Sequence, residues 1–119
     1  MNKEQLWRTS KYEVLAHDEA AYRHIQKNYQ NWDVEQLSHA IEEAKMLIPT
    51  IGSVTNSYEH MWGYFKKKAT QKEKSETFDL LLQFQQEEIE EKELWKWLRH
   101  LAQKYEVNYL LESTILQQN

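Results

Sequence analysis

Five histidines, a run of lysines and seven tyrosines are the residues of this 119-residue chain whose chemistry reaches beyond packing. Histidine can ligate a metal or move a proton near neutral pH. A helical metal site places its ligands at i and i+3 or i+4. No two of His17, His24, His39, His60 and His100 are so spaced. Glu13 stands four before His17 and Glu43 four after His39, pairs that chance supplies often. The Glu-x-x-His motif of di-metal bundles does not occur. With no cysteine, thiolate ligands, disulfides and thiol nucleophiles are excluded within the chain. The sequence thus predicts no metal site and no cofactor.

The densest chemistry lies in Asn56-Ser57-Tyr58-Glu59-His60-Met61-Trp62-Gly63-Tyr64-Phe65-Lys66-Lys67-Lys68. Val54, Tyr58, Met61 and Phe65 follow one helical face. Asn56, His60, Gly63 and Lys67 follow a second, polar face. Glycine inside a helix costs about 1 kcal/mol against alanine, so close approach of another helix or a ligand is expected at Gly63. If the first helix neighbours this one, His17, Asn56 and His60 converge, with Tyr12 and Tyr64 as aromatic walls. Lys11 and Lys66 at the rim would suit an anion such as phosphate. The competing reading, weighed above the pocket, is a structural polar network that fixes helix register. For His17 and His60 it means burial with hydrogen bonds between helices.

Lys66, Lys67 and Lys68, with Lys72 and Lys74 behind them, form the one basic cluster. Basic charge beside Trp62, Tyr64 and Phe65 fits single-stranded nucleic acid, through phosphate contacts and base stacking. Against that, Tyr58, Met61 and Phe65 are needed in the core, and lysines favour a helix C-terminus. A solvated last turn is the preferred reading. The acidic run Glu87 to Glu93 reads the same way, as a solvated face or helix start.

The elements that must position these groups are helices. Gly 2 and Pro 1, with abundant Glu, Gln, Lys and Leu, argue for nearly all helix. A first helix is expected over 1–16, weakly interrupted at Thr9-Ser10, with Asp18 capping a second over 19–30 that carries Tyr22, Ile25 and Tyr29 inward. Asp33 and Gln36 form a capping box. Val34, Leu37, Ile41, Ala44 and Ile48 then make an amphipathic stripe that Pro49 ends. Pro49 to Ser53 reads as a loop, Thr55 as the cap of the central helix, and Ala69 as its end. Thr70 and Glu73 open the next helix, with Phe78, Leu81, Leu82 and Ile89 inward and a bend or stop at Gln85 to Glu88. Leu94, Leu98, Leu101 and Tyr105 mark another stripe. Asn108 caps a short last helix. Trp95 and Trp97, two apart, cannot both face one core, so one is expected at a subunit interface.

Length predicts one domain, 1–119. Net charge is −4, so attraction to a polyanion is not a property of the whole chain. Mean hydropathy is −0.90, and no run approaches the ~20 apolar residues of a membrane span. The N-terminus lacks a signal-peptide pattern. A cytoplasmic protein is expected.

Two motifs carry a family resemblance. Lys11, Tyr12, Leu15, Ala16 and His17 form the first; Asn56, His60, Gly63, Tyr64, Phe65 and Lys66 form the second. Together they resemble the bacterial YbgA-type family, a domain of unknown function. The resemblance runs more weakly through Leu98-Arg99-His100 to Tyr109-Leu110-Leu111-Glu112. The tail Glu112 to Leu116 and the acidic stretch before Leu94 depart from the family pattern. In some relatives the domain is fused to a cysteine-rich domain resembling iron–sulfur thiouracil desulfidases. The resemblance implies an accessory or binding domain, because the cysteines that carry that chemistry are lacking here.

The sequence therefore predicts an all-α, single-domain bundle of about six to seven helices packed around Val54 to Phe65. An accessory or interaction module, working with a protein partner or as a homo-oligomer, is the leading functional expectation. It is linked to modified-pyrimidine or nucleic-acid metabolism through the partner. The alternatives are a small-molecule or nucleotide-binding protein, and an enzyme is not excluded, using Lys11, Tyr12, His17, Asn56, His60, Gly63, Tyr64 and Lys66, or a nucleic-acid module using Lys66 to Lys68. No nucleophile elbow, phosphate loop or nucleotide fingerprint occurs, which leans against an enzyme.

Overall fold

Four helices begin on reciprocal capping boxes, Asn2 with Gln5, Asp33 with Gln36, Thr50 with Ser53 and Thr70 with Glu73. In each, the first residue's side chain takes an amide proton that the helix cannot use, and its partner returns the bond. The structure, a computed structural model, describes residues 1–118; Asn119, the last residue of the expected domain, lies outside them. Among the described residues there are seven α-helices and no strand: α1 Lys3–His17, α2 Glu19–Asn28, α3 Val34–Lys45, α4 Ile51–Trp62, α5 Gln71–Gln85, α6 Glu91–Lys104 and α7 Asn108–Leu111. Short 3-10 turns cover Tyr29–Asn31 and Thr114–Gln117.

The all-α class is as expected, while several boundaries differ. α1 runs unbroken through Thr9 and Ser10, both buried, because Thr9 Oγ1 donates back to the Gln5 and Leu6 carbonyls. α2 gives way to 3-10 geometry at Tyr29. α3 stops at Lys45, short of Pro49, and leaves Ile48 86% exposed. Thr50, rather than Thr55, caps α4, so the expected loop over Pro49 to Ser53 is already helix from Ile51. α4 ends at Trp62 rather than Ala69, and residues 63–68 form turns. Val107, not Asn108, precedes α7 as its cap residue.

Two helices close alike. Glu88 N–H donates to the Gln83 carbonyl and Glu87 N–H to Phe84; Val107 N–H donates to Ala102 and Glu106 N–H to Gln103. This is the Schellman pattern, whose hinge residue is left-handed. Glu87 (φ 61) and Glu106 (φ 54) hold those hinges.

α4 does not serve alone as the centre. It packs on α1, α5 and α6, while α2 and α3 pack on α1. Two buried clusters result. The larger joins Leu15, Val54, Tyr58, Met61, Phe65, Leu94, Leu98 and Leu101. The smaller joins Trp7, Val14, Ile25, Leu37, Ile41 and Ala44, with no residue from α4. α1 is the wall between them, which corrects the expectation that every helix leans on Val54 to Phe65.

On α5, the buried positions are Glu73, Thr77 and Leu81, whereas Phe78 and Leu82 face outward. Trp95 is in the larger core and Trp97 packs at its edge. The Trp97 indole donates to Thr77 Oγ1 at 2.8 Å. Both tryptophans thus make contacts within the chain.

Candidate functional site

The residues singled out from sequence separate into three places. His17 lies at the end of α1, where Nδ1 donates to the Leu47 carbonyl at 2.8 Å. Asn56 lines a depression with Asp18, Thr50 and Ser53 that includes neither histidine. His60 is exposed on α4, so it is not the buried interhelical histidine expected. Gly63 is the exposed residue closing α4. A Cβ there would meet the His60 carbonyl at 3.1 Å, in the glycine's own turn. No neighbouring helix lies within reach of that Cβ, so the expected close approach is not made.

Lys11, Tyr12 and Tyr64 do come together. The Tyr12 and Tyr64 hydroxyls are 3.1 Å apart, and their rings meet edge to face. Tyr64 stacks on Tyr109 with centroids 5.6 Å apart and planes at 21°. Lys11 Nζ sits 5.3 Å from the Tyr12 centroid and 5.4 Å from that of Tyr109; the Arg8 guanidinium is 5.9 Å from Tyr109. These are cation–π distances. Arg8 also pairs with Glu112 at 3.2 Å. Tyr109 comes from the far end of the chain, and only the weak tail resemblance touched it.

Burial pushes the Tyr12 phenol well above its usual range, aided by its bond to Tyr64. Burial works against the charge on Lys11, but the Tyr109 hydroxyl and the phenols of Tyr22 and Tyr64 outweigh it and raise its pKa. Lys11 is therefore a permanent cation on a tyrosine surface. Lys66, Lys67 and Lys68 follow Tyr64 in the exposed turn. Among the described residues no group of three or more His, Cys, Asp or Glu side chains is placed to hold a metal. His39 pairs with Glu43 at 2.7 Å on the surface, and Glu13 accepts from Thr114 Oγ1 instead of meeting His17.

The α1–α4 seam that holds this arrangement is read directly from two bonds. Ser53 Oγ donates to the Ala16 carbonyl and Ser57 Oγ to the Tyr12 carbonyl, at 2.6 and 2.7 Å. The reversed order of the two pairs shows that the helices run antiparallel. The segments that carry the family motifs, Lys11 to His17 and Asn56 to Lys66, therefore lie side by side, with His60 and Gly63 turned to solvent. A family model described as "Protein of unknown function (DUF1722)" matches residues 11–119. The chain belongs to this family. It is the YbgA-type family that the two motifs resemble. No curated protein and no solved structure matches the chain. Within the DUF1722 match, Lys11, Tyr12, Tyr64 and Tyr109 all lie in the matched span, while Arg8 lies outside it.

A second surface was not anticipated. Met46 (84% exposed) and Ile48 lead into Ile51, which lines a depression with Pro49 and Phe84. Further along α5, Phe78 and Leu82 are 55% and 52% exposed. A Gln85–Thr55 hydrogen bond and the Trp62–Phe78 ring contact lay α5 antiparallel beside α4. Leu82 falls between those two ties. Among the described residues no helix is long and apolar enough to cross a membrane.

Proposed function

We propose that the chain is a non-catalytic, cytoplasmic accessory module of a bacterial cell, docking on a partner protein that handles modified pyrimidine or nucleic-acid substrates. The observation that carries the docking is the exposure of Phe78 and Leu82, one turn apart on α5, and of Met46, Ile48 and Ile51 at the α3–α4 junction. Apolar side chains in such a group are normally covered by a partner. The substrate class of the partner rests on the family resemblance.

The test is site-specific photo-cross-linking in the native cell, with a photoreactive residue at position 82. One discrete adduct with a second protein is expected, lost on adding Phe78→Glu. Absence of an adduct, or an adduct only with a second copy of this chain, overturns the proposal.

A second reading is favoured by the Tyr64–Tyr109 stack. The exposed Tyr64 ring, backed by the half-buried Tyr109 and beside Lys11 and Lys66 to Lys68, supplies the stacking face and cations that single-stranded nucleic acid needs. Fluorescence anisotropy with a labelled oligothymidine checks it. Binding is expected at low salt, falling as salt rises, and weakened roughly tenfold or more by Tyr64→Ala, since one stacked base contributes about 1–3 kcal/mol. Binding that ignores salt, or none at low salt, removes this reading.

A further inference from the structure

A cavity of about 280 Å³ opens between α5 and α6, away from both surfaces above. Its walls are Trp97 and His100, stacked with centroids 5.5 Å apart and planes at 29°. The Trp97 ring is fixed by its bond to Thr77. Glu73 and Lys104 line the same cavity. Glu73 is 7% exposed. Its Oε1 accepts from the Thr70 amide and the Tyr105 hydroxyl, and its Oε2 accepts from Lys104 Nζ at 2.6 Å. Those bonds from Lys104, Tyr105 and Thr70 lower its pKa to about 2, so at neutral pH it is a carboxylate and only accepts.

This pair is not saturated. Oε2 takes a single bond among the described residues, which leaves it a lone pair, and an ammonium carries three donors of which Glu73 uses one. An acceptor and a donor therefore stand side by side, 2.6 Å apart. In a cis amide the N–H nitrogen and the carbonyl oxygen are separated by about 2.3 Å, from standard bond lengths. A lactam edge would pair its N–H with Glu73 Oε2 and its C=O with Lys104 Nζ. Charge selects neither an anion nor a cation, because Lys72 and Lys104 balance Glu73 and Glu76 around the rim. The flat indole and imidazole walls favour a ring over an open chain.

We propose that this cavity binds a small, neutral, planar heterocycle with a lactam edge, held in two hydrogen bonds by Glu73 and Lys104 against Trp97 and His100. The proposal is independent of the docking surface and of the tyrosine stack. The bonds are charge-assisted, the stronger kind of hydrogen bond.

The experiment is NMR titration of the full chain with 2-pyridone, and with N-methyl-2-pyridone as the probe that lacks the N–H. The Trp97 indole N–H resonance reports the site. Saturable shifts with 2-pyridone are expected, and an affinity for the N-methyl probe lower by about tenfold or more, the effect of losing one bond to a charged group. In Lys104→Met both probes lose the bond to their carbonyl, so both should bind more weakly while the preference for 2-pyridone persists. His100→Ala, at an exposed position that leaves the Glu73 pair intact, should weaken both probes to the same degree. No shift of the Trp97 indole up to the solubility limit of 2-pyridone overturns the proposal, as does equal affinity for the two probes in the unaltered chain.

Discussion

Ser57 Oγ reaches the main-chain carbonyl of Tyr12 at 2.7 Å, and that contact fixes the register of α4 on α1. A serine side chain is short, so the bond requires the two backbones to lie close. Ser53 repeats it one turn away on Ala16. Ser57 has no exposed surface and Ser53 very little, so both hydroxyls are spent on this seam. The register they set brings Tyr12 under Tyr64 and so assembles the tyrosine cluster.

Replacing Ser57 by Ala removes one buried hydrogen bond and should cost about 1 kcal/mol in urea unfolding. Ser57→Leu must push the helices apart and should cost about 1–3 kcal/mol or more. Its Tyr64 ring should also lose the Tyr109 stack, seen as a changed ring chemical shift. If Ser57→Leu is as stable as Ser57→Ala, the close seam is wrong.

Glu73 carries a pH signature. Its folded pKa of about 2 lies below the ordinary 4.5. A depressed carboxylate stabilises the fold above its unfolded pKa, and the gain is lost as pH falls toward the folded value. Wild-type stability should therefore drop between about pH 4.5 and about pH 2. Glu73→Gln, which does not titrate, should show a flatter urea midpoint across that window. An unchanged slope would show that the Lys104 and Tyr105 bonds do not form.

The left-handed hinges at Glu87 and Glu106 suit glycine better than glutamate. Glu87→Gly and Glu106→Gly should each stabilise the fold by about 0.5–1 kcal/mol, net of glycine's greater freedom in the unfolded chain. Thermal melts check this, with Glu88→Gly as a control expected to destabilise or do nothing. Lower melting temperatures for both hinge variants would contradict the Schellman geometry.

Leu37 is fully buried in the smaller cluster. Leu37→Ala should cost about 2–5 kcal/mol, depending on how far the cavity collapses. A cost below about 1 kcal/mol would mean that α3 is not packed on α1 as described.

Local signals were the readable ones. Asp33 with Gln36 and Thr70 with Glu73 announce helix starts because a cap and its partner are three residues apart. The polar run at Gln85 to Glu88 announces a stop for a similar reason. What sequence spacing misses is which face a distant element covers. Phe78 and Leu82 look like core, yet Glu73 and Thr77 hold the buried side of α5. Their partners, Lys104, Tyr105 and Trp97, lie 20 to 32 residues further on. Gly63 reads as a contact point only in a helix that runs on to Ala69; with α4 ending at Trp62 it is the closing residue instead. Of the proposed site, Lys11, Tyr12 and Tyr64 meet because the helix holding two of them pairs with the one ending beside the third. His17 and His60 do not join them, being at the margin of α1 and on the solvent side of α4.

Because α1 is the wall between the two buried clusters, the arm formed by α2 and α3 is attached chiefly through it. It can peel away while α4, α5 and α6 keep their own packing, so the molecule should open in two stages of unequal cost. Amide deuteration would then spread inward from residues 19–45, reaching the middle of α4 last.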